Sequence, residues 1–294
     1  MTMRVLLATD GSDHARRATT LLRAFPLPPS AEILVLSVAR IPFAPPVPST
    51  IRELEDAAIA DARRIAEDAR SALASRWPSV EARAMAGDPR TKILEVAEGW
   101  PASLVVVGAR GLGAVKSALL GSVSTAVVHH AKCPVLVVKE SAAALDEILV
   151  AVDGSPDGIE AARFVAALPL PPTSRIRLLA AIEPPYAPRT APGFIKPTLR
   201  AAINEMVAER RTEMETMLAR VEERFRDTAP VIRRLVVVGH PADEVVSAAN
   251  QPGVGLVVVG ARGLGAVKRL VLGSVSERVL HHAECPVLIV RPGS

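Results

Sequence analysis

Gly108-Ala-Arg-Gly-Leu-Gly-Ala-Val-Lys116 recurs without change as Gly260 to Lys268, an offset of 152 (260 − 108). Outward from this stretch, the same offset carries Gly121-Ser-Val-Ser124 onto Gly273-Ser-Val-Ser276 and Cys133-Pro-Val-Leu136 onto Cys285-Pro-Val-Leu288. Towards the N-terminus, Leu7-Ala-Thr-Asp-Gly-Ser12 is answered by Val150-Ala-Val-Asp-Gly-Ser155 at an offset of 143 (153 − 10). Self-similarity on this scale marks a duplicated unit. The offset changes where the second copy has the longer Pro-rich loop, between Glu183 and Pro197 against Ala39 to Ser49 in the first. Surface loops tolerate such insertions. The boundary falls at Glu140 to Leu145, giving domains 1–140 and 146–294.

Within each copy apolar runs alternate with helical patterns. Residues 5–9, 33–38, 82–86, 104–107 and 135–138 read as strands, and their near-continuous hydrophobicity suits burial on both faces. Ser12 and Asp13 begin a helix running to Phe25, Thr50 caps a long charged helix to Arg76, and Pro89 suits a first helical turn. The second long helix runs from about Thr198 to Phe225. Such alternation predicts an α/β fold: two tandem Rossmann-like domains, each a five-stranded parallel sheet with helices on both faces. Ligands of these sheets bind beyond the carboxyl ends of the strands, where strand order reverses. Asp10 and Asp153 end the first strand of each copy, and Gly108 and Gly260 the fourth.

The loop has the form Gly-x2-Gly-x9-Gly-Ser, from Gly108 and Gly111 to Gly121 and Ser122, and from Gly260 and Gly263 to Gly273 and Ser274. Glycines permit φ > 0 and a close backbone approach to a ligand. Ser122 and Ser124, with Ser274 and Ser276, then present hydroxyls and amides at a helix start, which favours phosphate. A P-loop is excluded because Gly113 is followed by Ala114 and Val115 before Lys116. A dinucleotide fingerprint is excluded because Lys116 stands where its third glycine belongs.

This loop, paired with an Asp at the end of the first strand, resembles the nucleotide-binding branch of the universal stress protein family. The opening Val5-Leu-Leu-Ala-Thr-Asp-Gly-Ser12, Gly87-Asp-Pro89 with Gly239-His-Pro241, and the closing Cys-Pro-Val-Leu strands agree with it. The resemblance covers nearly the whole chain, twice, and implies the adenine nucleotide alpha hydrolase-like fold. It implies ATP in each copy, with ribose at Asp10 and Asp153, preceded by Thr9 and Val152. Adenine would lie at the backbone of Val38 and Ile182. Phosphates would lie at Val107, Gly108, Arg110, Gly111, Gly113, Gly121, Ser122, Val123 and Ser124, and in the second copy at Val259, Gly260, Arg262, Gly263, Gly265, Gly273, Ser274, Val275 and Ser276. A Mg2+ ion bound with the phosphates is implied, as is a nucleotide-dependent regulator of stress responses. The resemblance further implies an intramolecular pseudo-dimer through residues 135–138 and 287–290, and pairing of whole chains into a homodimer.

Alternatives remain open on the residues alone. Asp10 and Asp153 can serve only as helix caps, and the loop arginines only as solvated side chains. A slow ATP hydrolase or a phosphoryl- or adenylyl-transfer enzyme is the second reading, although no nucleophile elbow or paired-carboxylate signature is present. A scaffold with relic loops is the third. His129, His130 and Cys133 are read as a helix end with a buried thiol, since a structural zinc wants four ligands. Met206, Met214 and Met217 are read as packing. The formal charge is +4, but basic residues sit beside acidic ones and aromatics make up 3%, which argues against nucleic acid. No apolar run approaches the roughly 20 residues of a membrane span. Two cysteines and no secretory leader point to a cytoplasmic protein.

Overall fold

The structure, a computed structural model, describes residues 2–40, 48–111, 120–139, 145–185, 197–228, 231–264 and 272–292. Gly113, Gly265, Lys116 and Lys268 lie outside the described residues. The chain divides into two compact units, Met1–Ala142 with Glu284–Ser294, and Ala143–Ala283.

The first repeat supplies β1 (Arg4–Ala8), α1 (Asp13–Ala24), β2 (Glu32–Ala39), α2 (Pro48–Ala74), β3 (Val80–Ala86), α3 (Pro89–Gly99), β4 (Leu104–Gly108), α4 (Ser122–His130) and β5 (Val135–Val138). The second supplies β6 (Glu147–Ala151), α5 (Pro156–Ala166), β7 (Arg175–Ile182), α6 (Pro197–Glu222), β8 (Val231–Val238), α7 (Pro241–Ala249), β9 (Val254–Gly260), α8 (Ser274–His282) and β10 (Val287–Val290). The α/β class and the doubled order of elements are therefore as the alternating pattern predicts. α2 starts at Pro48, so Thr50 lies inside its first turn and does not cap it. Proline at a helix start loses nothing, since its missing N–H has no intrahelical partner there.

In the first unit the strand order is β3-β2-β1-β4-β5-β10. Neighbours among β1 to β5 run parallel, and β10 pairs antiparallel with β5, Leu288 opposite Leu136. In the second unit β9-β6-β7-β8 are all parallel. The chain steps from β1 outward to β2 and β3, then returns to β4 on the other side of β1. The crevice beyond β1 and β4 is the point where strand order reverses, and β6 and β9 repeat it.

The cores follow from strands covered on both faces. Val5, Leu6 and Leu7 of β1, Val105 and Val106 of β4, and Leu149 and Val150 of β6 are wholly buried. Each such side chain contributes about 1.5–3 kcal/mol relative to leaving it exposed. α1 turns Ala15, Ala18, Leu21 and Leu22 inward at helical spacing. Ser12 caps it, its Oγ accepting from Ala15 N, and Ser155 does the same for α5 through Gly158 N.

Candidate functional site

Both first strands end in a tight turn built on the aspartate. Gly11 (φ 75°) and Gly154 (φ 84°) take left-handed backbone conformations that disfavour a side chain. Ser12 N donates to Asp10 Oδ1 at 3.0 Å, and Ser155 N to Asp153 Oδ1 at 2.9 Å. The aspartates thus shape the turn, while the serines cap the helices. The capping alternative belongs to the serines.

The loop glycines have a different reason from the one the motif suggests. Among the described residues none of them has positive φ. Instead they admit neighbours. A Cβ on Gly108 would lie 2.8 Å from the carbonyl carbon of His14 in α1, and one on Gly260 would lie 2.6 Å from that of Asp157 in α5. A Cβ on Gly111 would stand 2.4 Å from Asp10 Oδ2, and one on Gly263 would stand 2.6 Å from Asp153 Oδ2. The strand-end carboxylate and the second loop glycine are therefore one constellation in each repeat.

The start of α4 is only partly as foreseen. Gly121 is its N-cap and offers no side-chain cap, as Gly273 offers none to α8. Unsatisfied N–H groups of a first helical turn favour an anion. Ser122 and Ser274 are exposed there. Ser124 and Ser276 are buried instead: Ser124 Oγ donates to Ala109 O at 2.8 Å, and Ser276 Oγ to Gly260 O at 2.6 Å. These two hydroxyls fasten the helix to the preceding strand end, a role the Ser-Val-Ser pattern did not reveal.

In the first repeat these parts enclose a cavity of ≈ 520 Å³. That volume lies within the range of small-molecule sites, about 300–1,000 Å³. Thr9, Asp10, Val38, Val107, Gly108, Arg110 and Gly111 line it from the strand ends, and Gly121, Ser122, Val123 and Ser124 from α4. Sequence reasoning missed the contribution of α2, whose Ala58, Asp61, Ala62 and Ile65 form another wall, and missed Arg40 after β2. The available signal was two alanines four residues apart, one helical turn of small side chains over a ligand space.

The second repeat holds Val152 and Val259 buried at the equivalent strand ends. Leu264 N donates to Asp153 Oδ2 at 3.0 Å, and Ser155 Oγ to Asp153 Oδ1 at 2.5 Å. Val275 follows the exposed Ser274 in the first turn of α8. Ile182 O accepts from Gly239 N as Ala39 O accepts from Gly87 N, both at strand ends. Ile182 is thus the counterpart of Ala39, and Ala181 that of Val38. A groove of ≈ 890 Å³ in this unit lies between Gly154 and Ile159 on one side and α6 residues such as Thr212 and Met217 on the other.

Among the described residues several titrating groups depart from ordinary values, three of them by a wide margin. The Arg90 guanidinium beside Asp88 holds its carboxyl down at about 2, while that carboxylate also caps α3. Burial pushes the Cys133 thiol up to about 11 and the Lys139 ammonium down to about 8. Arg291, the counterpart of Lys139 (291 − 139 = 152), donates to Val128 O at 2.7 Å and to Ala131 O, covering the end of α4. Among the described residues no group of three or more His, Cys, Asp or Glu is placed to hold a metal ion. Among them, no helix is long and apolar enough to cross a membrane.

A doubly wound parallel α/β unit with a glycine loop and carboxylate at its strand-order reversal defines a Rossmann-like class of protein. The profile of the universal stress protein family matches residues 1–139 and again residues 145–291, so the chain is a tandem member of that family. A universal stress protein of Mycobacterium tuberculosis strain H37Rv is 33% identical over 242 residues, covering 79% of this chain and 75% of that protein. One from Thermus aquaticus is 40% identical over 138 residues, 46% of this chain and 97% of that protein. A crystal structure of an Archaeoglobus fulgidus universal stress protein shares the fold, with a TM-score of 0.65 at 22% identity and 98% coverage of both chains.

Proposed function

We propose that the chain is an ATP-binding regulator whose conformation or partner choice follows nucleotide occupancy. The observation that carries this reading is the first-repeat cavity, because Thr9, Asp10, Val38, Gly108, Arg110, Gly111, Gly121 and Ser122 all line it. Asp10 is the acceptor for ribose hydroxyls, and the end of β2 at Val38 and Ala39 offers main-chain groups to the base. Backbone N–H groups at Gly111 and Ser122, with Arg110, are the donors for phosphate. ATP supplies the anionic triphosphate these donors suit. Ser122 is the exposed hydroxyl available to a magnesium ion carried in with the nucleotide.

The test is calorimetry on nucleotide-free protein titrated with ATP. Binding is expected, and Gly111→Ala should weaken it at least tenfold, since the new methyl displaces the Asp10 carboxylate. Unchanged affinity in that variant would falsify the site. Intact ATP after long incubation supports a bound signal; steady multiple turnover supports the enzyme reading instead.

A further inference from the structure

We infer that residue 157, with its counterpart residue 14, decides which repeat accepts polyphosphate: Asp157 acts as a built-in anion of the second loop and leaves the first repeat as the tight ATP site. This deepens the ATP-binding reading and rests on it.

The two positions are equivalent (157 − 14 = 143) and lie against the first loop glycine of their repeats. In the first repeat Arg110 Nε donates to His14 Nε2 at 3.1 Å. An imidazole that accepts at Nε2 is neutral, with its proton on Nδ1. In the second repeat Asp157 Oδ2 accepts from the main-chain N of Arg262 at 3.1 Å and from its Nε at 3.3 Å. The Asp157 residue is only 5% exposed. A backbone N–H and a guanidinium on one oxyanion is the donor pair that a phosphate oxygen recruits at such loops. The carboxylate therefore satisfies the second loop with a group of the protein's own.

The surroundings point the same way. Arg40, which lines the first cavity, corresponds to Glu183 (183 − 40 = 143). Asp61 pairs with Arg64 at 2.6 Å, and its counterpart Glu213 (213 − 61 = 152) pairs with Arg210 at 2.6 Å, so these exposed pairs compensate themselves. The remaining difference is two charges at 40/183 and one at 14/157, three in all, each disfavouring an anion in the second repeat. Ala62 corresponds to the larger Met214 (214 − 62 = 152). Charge at these distances changes anion affinity on the order of tenfold per unit.

Titration of the nucleotide-free full chain with ATP should give one tight equivalent, abolished by Asp10→Ala. Two equivalents of equal affinity would overturn the inference while leaving ATP binding intact; no binding at all would overturn the ATP reading itself. Asp157→Asn keeps the shape and removes one of the three charges, so a second equivalent should appear, about a hundredfold weaker than the first because the difference at 40/183 remains. A stoichiometry still at one in a folded Asp157→Asn protein overturns the assignment of residue 157. The converse variant, His14→Asp, should weaken the tight site tenfold or more. Unchanged affinity there overturns the assignment independently of how the second repeat folds.

Discussion

The two repeats carry the same nine-residue stretch at Gly108 and Gly260, yet they surround it differently. In the first, alanines of α2 and a neutral His14 face the loop region, and a cavity opens. In the second, a buried carboxylate is held by the loop's own arginine. Identical loops can therefore sit in sites of different charge. A motif defines which donors are available, and its neighbours decide whether an external anion or an internal one receives them.

The comparison can be pressed hardest at the glycines the repeats share. Gly260→Ala should destabilise its unit by about 3 kcal/mol, the upper part of the range for overpacking, because the contact is with α5 backbone that cannot rotate away. Gly108→Ala should cost somewhat less, in keeping with its longer contact. Denaturant unfolding of both variants checks the order, and a reversed order would break the equivalence.

Lys139 and Arg291 sharpen the comparison through pH. The folded-state pKa of Lys139, about 8, lies below the usual 10.5, so between these values the unfolded chain binds more protons than the native one. Stability attributable to Lys139 should then rise with pH across that window, by about 3 kcal/mol. Cys133 acts in the opposite sense: its thiol titrates at about 11 when folded, so its contribution falls as pH rises from about 9. The difference between wild type and Lys139→Met, followed by thermal unfolding from pH 7 to 10.5, isolates the lysine. A flat difference would refute its burial as an ammonium.

The smallest effects belong to the caps. Asp88→Ala should lose about 1 kcal/mol, while His240→Asp should gain about half as much, since His240 makes no side-chain cap bond on α7. The Asp88 contribution is present above its unfolded pKa near 3.8 and is lost as pH falls towards 2. Chemical denaturation at pH 7 and pH 3 reads both.

Much of this was legible in the residues. The α/β class followed from period and alternation, and the strand-end location of Asp10 and Gly108 from the rule for parallel sheets. Other features were hidden because they depend on contacts between distant segments. Ser124 reads as a phosphate hydroxyl until its Oγ is seen on Ala109 O. The alanines of α2 carry no chemistry and become visible only as a wall. Val38 and Ile182 look alike in the sequence, but hydrogen bonds to Gly87 and Gly239 show that Ile182 matches Ala39.

The loop quoted at the outset, its doubling and its family were determined by the sequence alone, because they rest on local spacing and on repetition. Which partner each loop arginine meets was decided only by the tertiary structure. His14 and Asp157 stand about a hundred residues from Arg110 and Arg262, and only chain packing brings imidazole to one guanidinium and carboxylate to the other. That contact sets the charge at the loop, and charge decides what an anion site can hold.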